Sequence, residues 1–325
     1  MEQWLLLTYS KTVAFPTETS TQGGNMSIFI GSGVAVCTPF DSAGEFSPGV
    51  YEKLVKFHAE KGTDAIVSCG TTGESSTLSA DEQIEVVKTA VAAAKKFGAE
   101  CGRKLPVVAG AGGNDTAKCI SMGKKLQQAG ADALMYVTPY YNKTSQKGLI
   151  AHYTAIAKAV DLPIIVYNVP SRTALNMQPK TLAEIAKLPN ITAVKATCGD
   201  ISQIAEMFER CGGDVDFYSG NDDQVLPILS FGGKGVISTI ANIAPATVHE
   251  MVMKFLNGDL EGSRKIQLSI LPLVRLLFSD VNPMPVKAAV NLLGFDAGEC
   301  RLPLISIENE LRESLKQEME QFGLV

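Results

Sequence analysis

Two side chains in this chain of 325 residues combine the right type and position for covalent chemistry on a carbonyl: Tyr167 and Lys195. Leu162-Pro163-Ile164-Ile165-Val166 runs into the tyrosine, and Ile191-Thr192-Ala193-Val194 runs into the lysine. Both runs read as short buried strands. A lysine ending such a strand is costly to desolvate unless its pKa falls or it forms a covalent bond. A neutral lysine amine is what Schiff-base formation requires. A tyrosine on the neighbouring strand is placed to give and take protons while an imine forms and breaks. The plainer alternative is a lysine that reaches solvent at a strand end, beside a tyrosine that only anchors packing.

Further groups share the same polarity along the chain. Gly70-Thr71-Thr72-Gly73-Glu74-Ser75 offers backbone N–H groups and hydroxyls to a small anion, or is simply a tight turn. Arg172, in the loop after the Tyr167 run, carries a forked donor set suited to a carboxylate, or makes a surface ion pair. Tyr140-Tyr141 supplies another phenol, or an aromatic plug at a subunit contact. Glu74 reads as a helix-start carboxylate facing the dipole. Ile237 reads as an apolar wall.

These groups need elements that position them. Strands are expected at Gly33–Thr38, Asp64–Cys69, Pro106–Ala111, Ala133–Thr138, Pro163–Asn168, Thr192–Thr197, Val215–Ser219 and Gly235–Thr239. Helical patterns fall at Pro48–Lys61, Ala80–Phe97, Thr116–Ala129, Gln146–Val160, Ile201–Cys211 and Val248–Leu256. Eight βα units predict a (β/α)8 TIM barrel, whose functional groups sit at the C-terminal ends of the strands. No G-x-G-x-x-G follows the first strand, which argues against a dinucleotide-binding sheet. Three more helices, Glu261–Phe278, Pro285–Leu293 and Ser306–Gln321, form a C-terminal extension. The expected organisation is a barrel over 26–258 and a helical extension over 259–325. Residues 1–25, rich in Thr, Ser, Gln and Glu, are expected to be a disordered leader or an over-extended start.

Composition narrows the function. A net charge of −5 argues against a general binder of nucleic acid or anionic membranes. No apolar run approaches the roughly 20 residues of a membrane helix. Seven scattered cysteines without a C-x-x-C pair read as reduced thiols of an intracellular, cytoplasmic protein. Three distant histidines make a zinc site or a histidine triad a poor fit.

The motifs together resemble the dihydrodipicolinate synthase family. Gly70-Thr71-Thr72-Gly73-Glu74-Ser75, Thr138-Pro139-Tyr140-Tyr141-Asn142, Tyr167-Asn168-Val169-Pro170-Ser171-Arg172-Thr173 and Asn282-Pro283-Met284-Pro285-Val286-Lys287 are similar to its landmarks, as is the spacing of Tyr167 and Lys195. The likeness runs from about Ile28 to the C-terminus. It implies a homotetrameric, pyruvate-dependent lyase that condenses pyruvate with L-aspartate 4-semialdehyde on the way to diaminopimelate and lysine, with no metal or organic cofactor. It further implies that Lys195 forms the imine and Tyr167 moves protons. Thr71 and Tyr141 extend a relay, Tyr141 reaching in from a neighbouring subunit. Thr72 and Ile237 contact pyruvate, and Arg172 holds the semialdehyde carboxylate.

Some positions depart from the family pattern. Ala196 follows the lysine where an acidic residue is usual, and Ala174 stands where glycine is common. Ser75, Asn114 and Tyr140 match positions that line the lysine-inhibitor site of regulated members. Lys118 replaces a glutamate there, and Ala80 and Gln83 replace histidines, so weak or absent lysine inhibition is expected. Sister lyases acting on N-acetylneuraminate or 2-keto-3-deoxy sugar acids, and a non-catalytic binding barrel, are the competing expectations.

Overall fold

The computed structural model describes residues 27–325; the expected leader at 1–25 lies outside them. Eight parallel strands close into a barrel in sequence order. They are β1 (Gly31–Ala35), β2 (Ala65–Ser68), β3 (Val107–Gly110), β4 (Ala133–Val137), β5 (Ile164–Asn168), β6 (Ile191–Ala196), β7 (Asp216–Ser219) and β8 (Gly235–Ser238). Closure brings β1 against β8, with Gly31 paired to Gly235. A Cβ on Gly235 would fall on the Gly31 carbonyl oxygen, so the seam needs glycine there.

Around the barrel run α1 (Pro48–Glu60), α2 (Ala80–Glu100), α3 (Thr116–Gln128), α4 (Gln146–Ala157), α5 (Pro170–Thr173), α6 (Pro179–Ile185), α7 (Ile201–Cys211), α8 (Val225–Ser230) and α9 (Pro245–Leu256). Local capping explains several starts. Ser79 and Glu82 form a reciprocal capping box at α2, and the Asp115 and Asp200 carboxylates accept first-turn N–H groups at α3 and α7. The short α5, α6 and α8 were not expected, because four to seven residues are too few to show a helical period.

After α9 come α10 (Leu260–Ser269), α11 (Leu271–Leu277), α12 (Met284–Leu292) and α13 (Asn309–Gln321). The single helix expected over Glu261–Phe278 is two. Pro272 near the start of α11 has no N–H to donate to the preceding turn, so the ladder breaks at Ile270.

Strand alternation sorts the core into two layers. Ala65, Val67, Met135, Ile165, Ala193 and Ile237 point into the barrel. Ile66, Leu134, Val166, Val194 and Val236 point outward beneath the helices. Phe29 and Tyr218 stack inside the barrel, centroids 4.3 Å apart, and the Tyr218 hydroxyl donates to the Phe29 carbonyl at 2.7 Å. No helix among the described residues is long and apolar enough to cross a membrane.

One buried group gives the fold a pH dependence. His58 on α1 is fully buried, with Nδ1 3.2 Å from Thr63 Oγ1 and Nε2 without a hydrogen-bond partner among the described residues. Burial depresses its pKa from 6.5 to about 3. A histidine held neutral contributes its stability above the unfolded value and loses it as pH falls from 6.5 toward 3. The loss approaches about 1.4 kcal/mol per pH unit in that window. The stability advantage of the native chain over His58→Gln, measured by urea unfolding, is therefore expected to shrink between pH 7 and 5. A gap that stays constant across that range would contradict this assignment.

Candidate active site

On β5, Ile165 and Tyr167 share the inward face; on β6, Ala193 and Lys195 do. The register pairs Tyr167 directly with Lys195. The Lys195 ammonium lies 4.4 Å from the centroid of the Tyr167 ring, close enough for a cation–π contact. Both residues are nearly sealed from solvent, at 6% and 5% exposure. Tyr218 of β7 is the partner of Lys195 on the other side.

Space for the lysine stem comes from Gly220. A Cβ there would stand 2.9 Å from Lys195 Cε and 3.1 Å from Lys195 Cγ, and would overlap Thr197 Oγ1. Beyond it, Asp222 is buried, and its Oδ2 accepts N–H bonds from Thr239 at 3.0 Å and Ile240 at 2.9 Å. Burial raises the Asp222 pKa above the ordinary carboxylate value. Hydrogen bonds from Ser238, Ile240 and Thr239, and then the Lys195 charge, pull it back. Sequence reasoning missed Gly220 and Asp222. The Gly220-Asn221-Asp222 segment reads as an ordinary turn until the strands close around it.

A cavity of about 790 Å³ opens at this end of the barrel, with Thr71, Tyr167 and Arg172 on its wall. That volume suits a small-molecule site. Lys195, Thr72 and Ile237 are buried, each under 7% exposed, and do not line this cavity. Arg172, on α5, donates to the Asn282 carbonyl at 3.4 Å and makes no carboxylate ion pair among the described residues. Its guanidinium keeps donors for a ligand. Tyr140 also lines the cavity, whereas Tyr141 does not: it is 89% exposed, in a left-handed backbone with φ 67°. Ser75, Ala80, Gln83, Asn114 and Lys118 line the same cavity.

Glu74 differs from its sequence reading. Its backbone is left-handed, and its carboxylate caps no helix. The side chain is buried in an ion pair with Lys287 of α12 at 2.7 Å, and its Oε2 accepts from the Arg301 N–H at 2.9 Å. The partner lies 213 positions away, so no local pattern announces it. This pair ties the loop bearing Thr71 and Thr72 to the C-terminal helices. Thr38 Oγ1 adds a bond to the Gly73 carbonyl at 2.7 Å.

The two departures from pattern have different surroundings. Ala196 faces outward into the helix layer, on the opposite side of β6 from Lys195. A carboxylate there would not share the face of the amine. Ala174 ends α5 with φ 52°, a conformation that glycine adopts without the Cβ penalty.

A lysine and a tyrosine paired on adjacent inward strands of a (β/α)8 barrel, beside an arginine-edged cavity, are the groups that Schiff-base chemistry would require. The chain belongs to the dihydrodipicolinate synthetase family, whose model matches residues 28–322. The 4-hydroxy-tetrahydrodipicolinate synthase of Caldicellulosiruptor bescii is 50% identical over 299 residues, covering 92% of this chain and 99% of that protein. The crystal structure of the enzyme from Cyanidioschyzon merolae with lysine bound is similar with a TM-score of 0.88 at 39% identity, covering 92% of this chain and 100% of that one. The chloride-inhibited enzyme of Acinetobacter baumannii, complexed with pyruvate, is similar with a TM-score of 0.87 at 38% identity, covering 91% and 99%.

Breaking the buried ion pair gives a direct test of the loop's anchorage. Lys287→Met leaves the Glu74 carboxylate buried without its partner and is expected to cost about 3 to 5 kcal/mol in urea unfolding. Adding Glu74→Gln to that variant is expected to recover part of the loss. Equal stability of Lys287→Met and the native chain would contradict the role given to this pair.

Proposed function

We propose that this chain condenses pyruvate with L-aspartate 4-semialdehyde to give 4-hydroxy-tetrahydrodipicolinate, the first committed step toward diaminopimelate and lysine. The observation that carries the proposal is the Tyr167–Lys195 register pair inside the barrel. Membership of the family supports the substrate pair.

In this reading the Lys195 amine attacks C2 of pyruvate and expels its carbonyl oxygen as water, leaving a protonated imine. That imine is an electron sink, so a methyl proton of C3 departs and an enamine forms. Tyr167 carries protons to the leaving hydroxyl and away from the adduct, with Thr71 as the next hydroxyl in the relay. The enamine C3 then bonds to the semialdehyde's aldehyde carbon, whose oxygen takes up a proton to become the 4-hydroxyl. The semialdehyde's amino nitrogen attacks C2, closes the ring and releases Lys195.

Thr72 and Ile237 hold the pyruvate end, and Arg172 receives the semialdehyde carboxylate. Tyr141 completes the relay in a neighbouring subunit of a homotetramer built as a dimer of dimers. Its 89% exposure beside cavity-lining Tyr140 fits a side chain directed toward another copy. The barrel over 26–258 forms the catalytic unit, and the helices of 259–325 brace it. The enzyme works in the cytoplasm without metal or organic cofactor. Lys118 on the cavity wall opposes the ammonium of free lysine, which favours an enzyme insensitive to its pathway's end product.

A coupled assay with pyruvate and a panel of aldehydes tests the reaction. Turnover is expected with aspartate semialdehyde and not with N-acetylmannosamine; the reverse would assign the chain to a sister lyase. Tyr167→Phe is expected to lower kcat by about 10²- to 10⁴-fold, and a kcat within twofold of native would remove it from the proton path. Millimolar L-lysine is expected to leave the rate unchanged. Half-inhibition below that level would show that Lys118 does not exclude it.

A further inference from the structure

Asn282, just ahead of α12, reaches both side chains assigned to the two substrates. Its Nδ2 donates to Thr72 Oγ1 at 3.0 Å, across 210 positions of sequence. Its backbone carbonyl accepts from Arg172 Nη2 at 3.4 Å, across 110 positions. The residue is only 6% exposed. Its Oδ1 is buried without a hydrogen-bond partner among the described residues. An asparagine serving packing alone would be expected to have both ends of its amide paired, and a half-paired buried amide calls for an explanation.

The direction of the Thr72 bond supplies one. A hydroxyl has one proton to donate and two lone pairs to accept with. The amide N–H occupies the accepting side of Thr72, and among the described residues that hydroxyl makes no other hydrogen bond. Its proton therefore stays free for a ligand. A carboxylate only accepts, so a free donor is what it requires. The opposite amide orientation would take that proton and turn lone pairs toward the anion.

We infer that Asn282 is a positioning residue that fixes the Thr72 hydroxyl as a donor to the keto-acid carboxylate, while its carbonyl steadies Arg172 for the second carboxylate. This inference rests on the pyruvate reading above. The C-terminal helices thus set substrate affinity through one side chain and do more than brace the barrel. Asn282→Asp replaces the donor by an isosteric carboxylate that takes the Thr72 proton and adds a negative charge. Asn282→Ala only removes the donor.

The experiment measures the pyruvate concentration that half-saturates cyanoborohydride trapping, from pH 5.5 to 8, in intact protein. The variants are Asn282→Asp, Asn282→Ala, Thr72→Val and the two doubles, each checked for folding by circular dichroism. Asn282→Ala is expected to raise half-saturation about tenfold, the scale of one hydrogen bond to a charged group. Asn282→Asp is expected to raise it further at pH 8, with relief as pH falls and its carboxylate takes up a proton. In the Thr72→Val background, Asn282→Ala is expected to change half-saturation by less than about twofold, since neighbours that act together are not additive. Unchanged half-saturation in both single variants, full multiplication of effects with Thr72→Val, or a pH-independent Asn282→Asp defect would each overturn the role of Asn282. If the native chain traps no pyruvate at all, the pyruvate reading falls and the Asn282 role falls with it. Native trapping with unaffected variants defeats the Asn282 role alone.

Discussion

Strand register is the constraint on which the site depends. Side chains alternate across a strand, so a one-residue slip of β6 would turn Lys195 into the helix layer and bring Val194 inward. The pairing of Tyr167 with Lys195 is held by neighbours that are strongly sorted by polarity and size. Ile165 and Ala193 fill the barrel below, and Val166 and Val194 pack outside. Slippage would bury a charged amine among the helices and open voids within the barrel. The apolar layering therefore specifies the pairing of Tyr167 with Lys195, and the lysine is carried to its position by residues with no chemistry of their own.

A second set of interactions crosses the chain from end to end. The loop carrying Thr71 and Thr72 follows β2, yet besides Thr38 on Gly73 its anchors are C-terminal: Lys287 on Glu74, the Arg301 N–H on Glu74, and Asn282 on Thr72. Lys287 and Arg301 both also lie over the Phe40 ring, at 4.0 and 4.2 Å from its centroid. The helices after the barrel thus belong to the site's support. A buried ion pair contributes little net stability, but it discriminates strongly against any arrangement that separates its members. Here it ties the loop bearing Thr71 and Thr72 to the C-terminal helices.

Much of this was legible from the residues. All eight strands fell within a few positions of their expected places, because short apolar runs bounded by turn residues are a strong local signal. Tyr167 and Lys195 were legible for the same reason, each being a polar residue that ends such a run. The short α6 and α8 were hidden by their length, and the break at Pro272 by a pattern that stays apolar on both sides. Glu74 was misread because its partner is remote: the sequence nearby offers a helix start, and tertiary packing offers Lys287. Gly220 and Asp222 gave no local signal, and Asn282 stood out only within a motif, its contacts with Thr72 and Arg172 appearing only when the barrel closes.

Peptide mapping after cyanoborohydride reduction of the native chain with pyruvate tests the central claim most directly. The account expects a single modified side chain, Lys195, heavier by pyruvate less water plus two hydrogens, and no such adduct in Lys195→Arg. An unmodified Lys195, or an adduct carried by a different lysine, would contradict it.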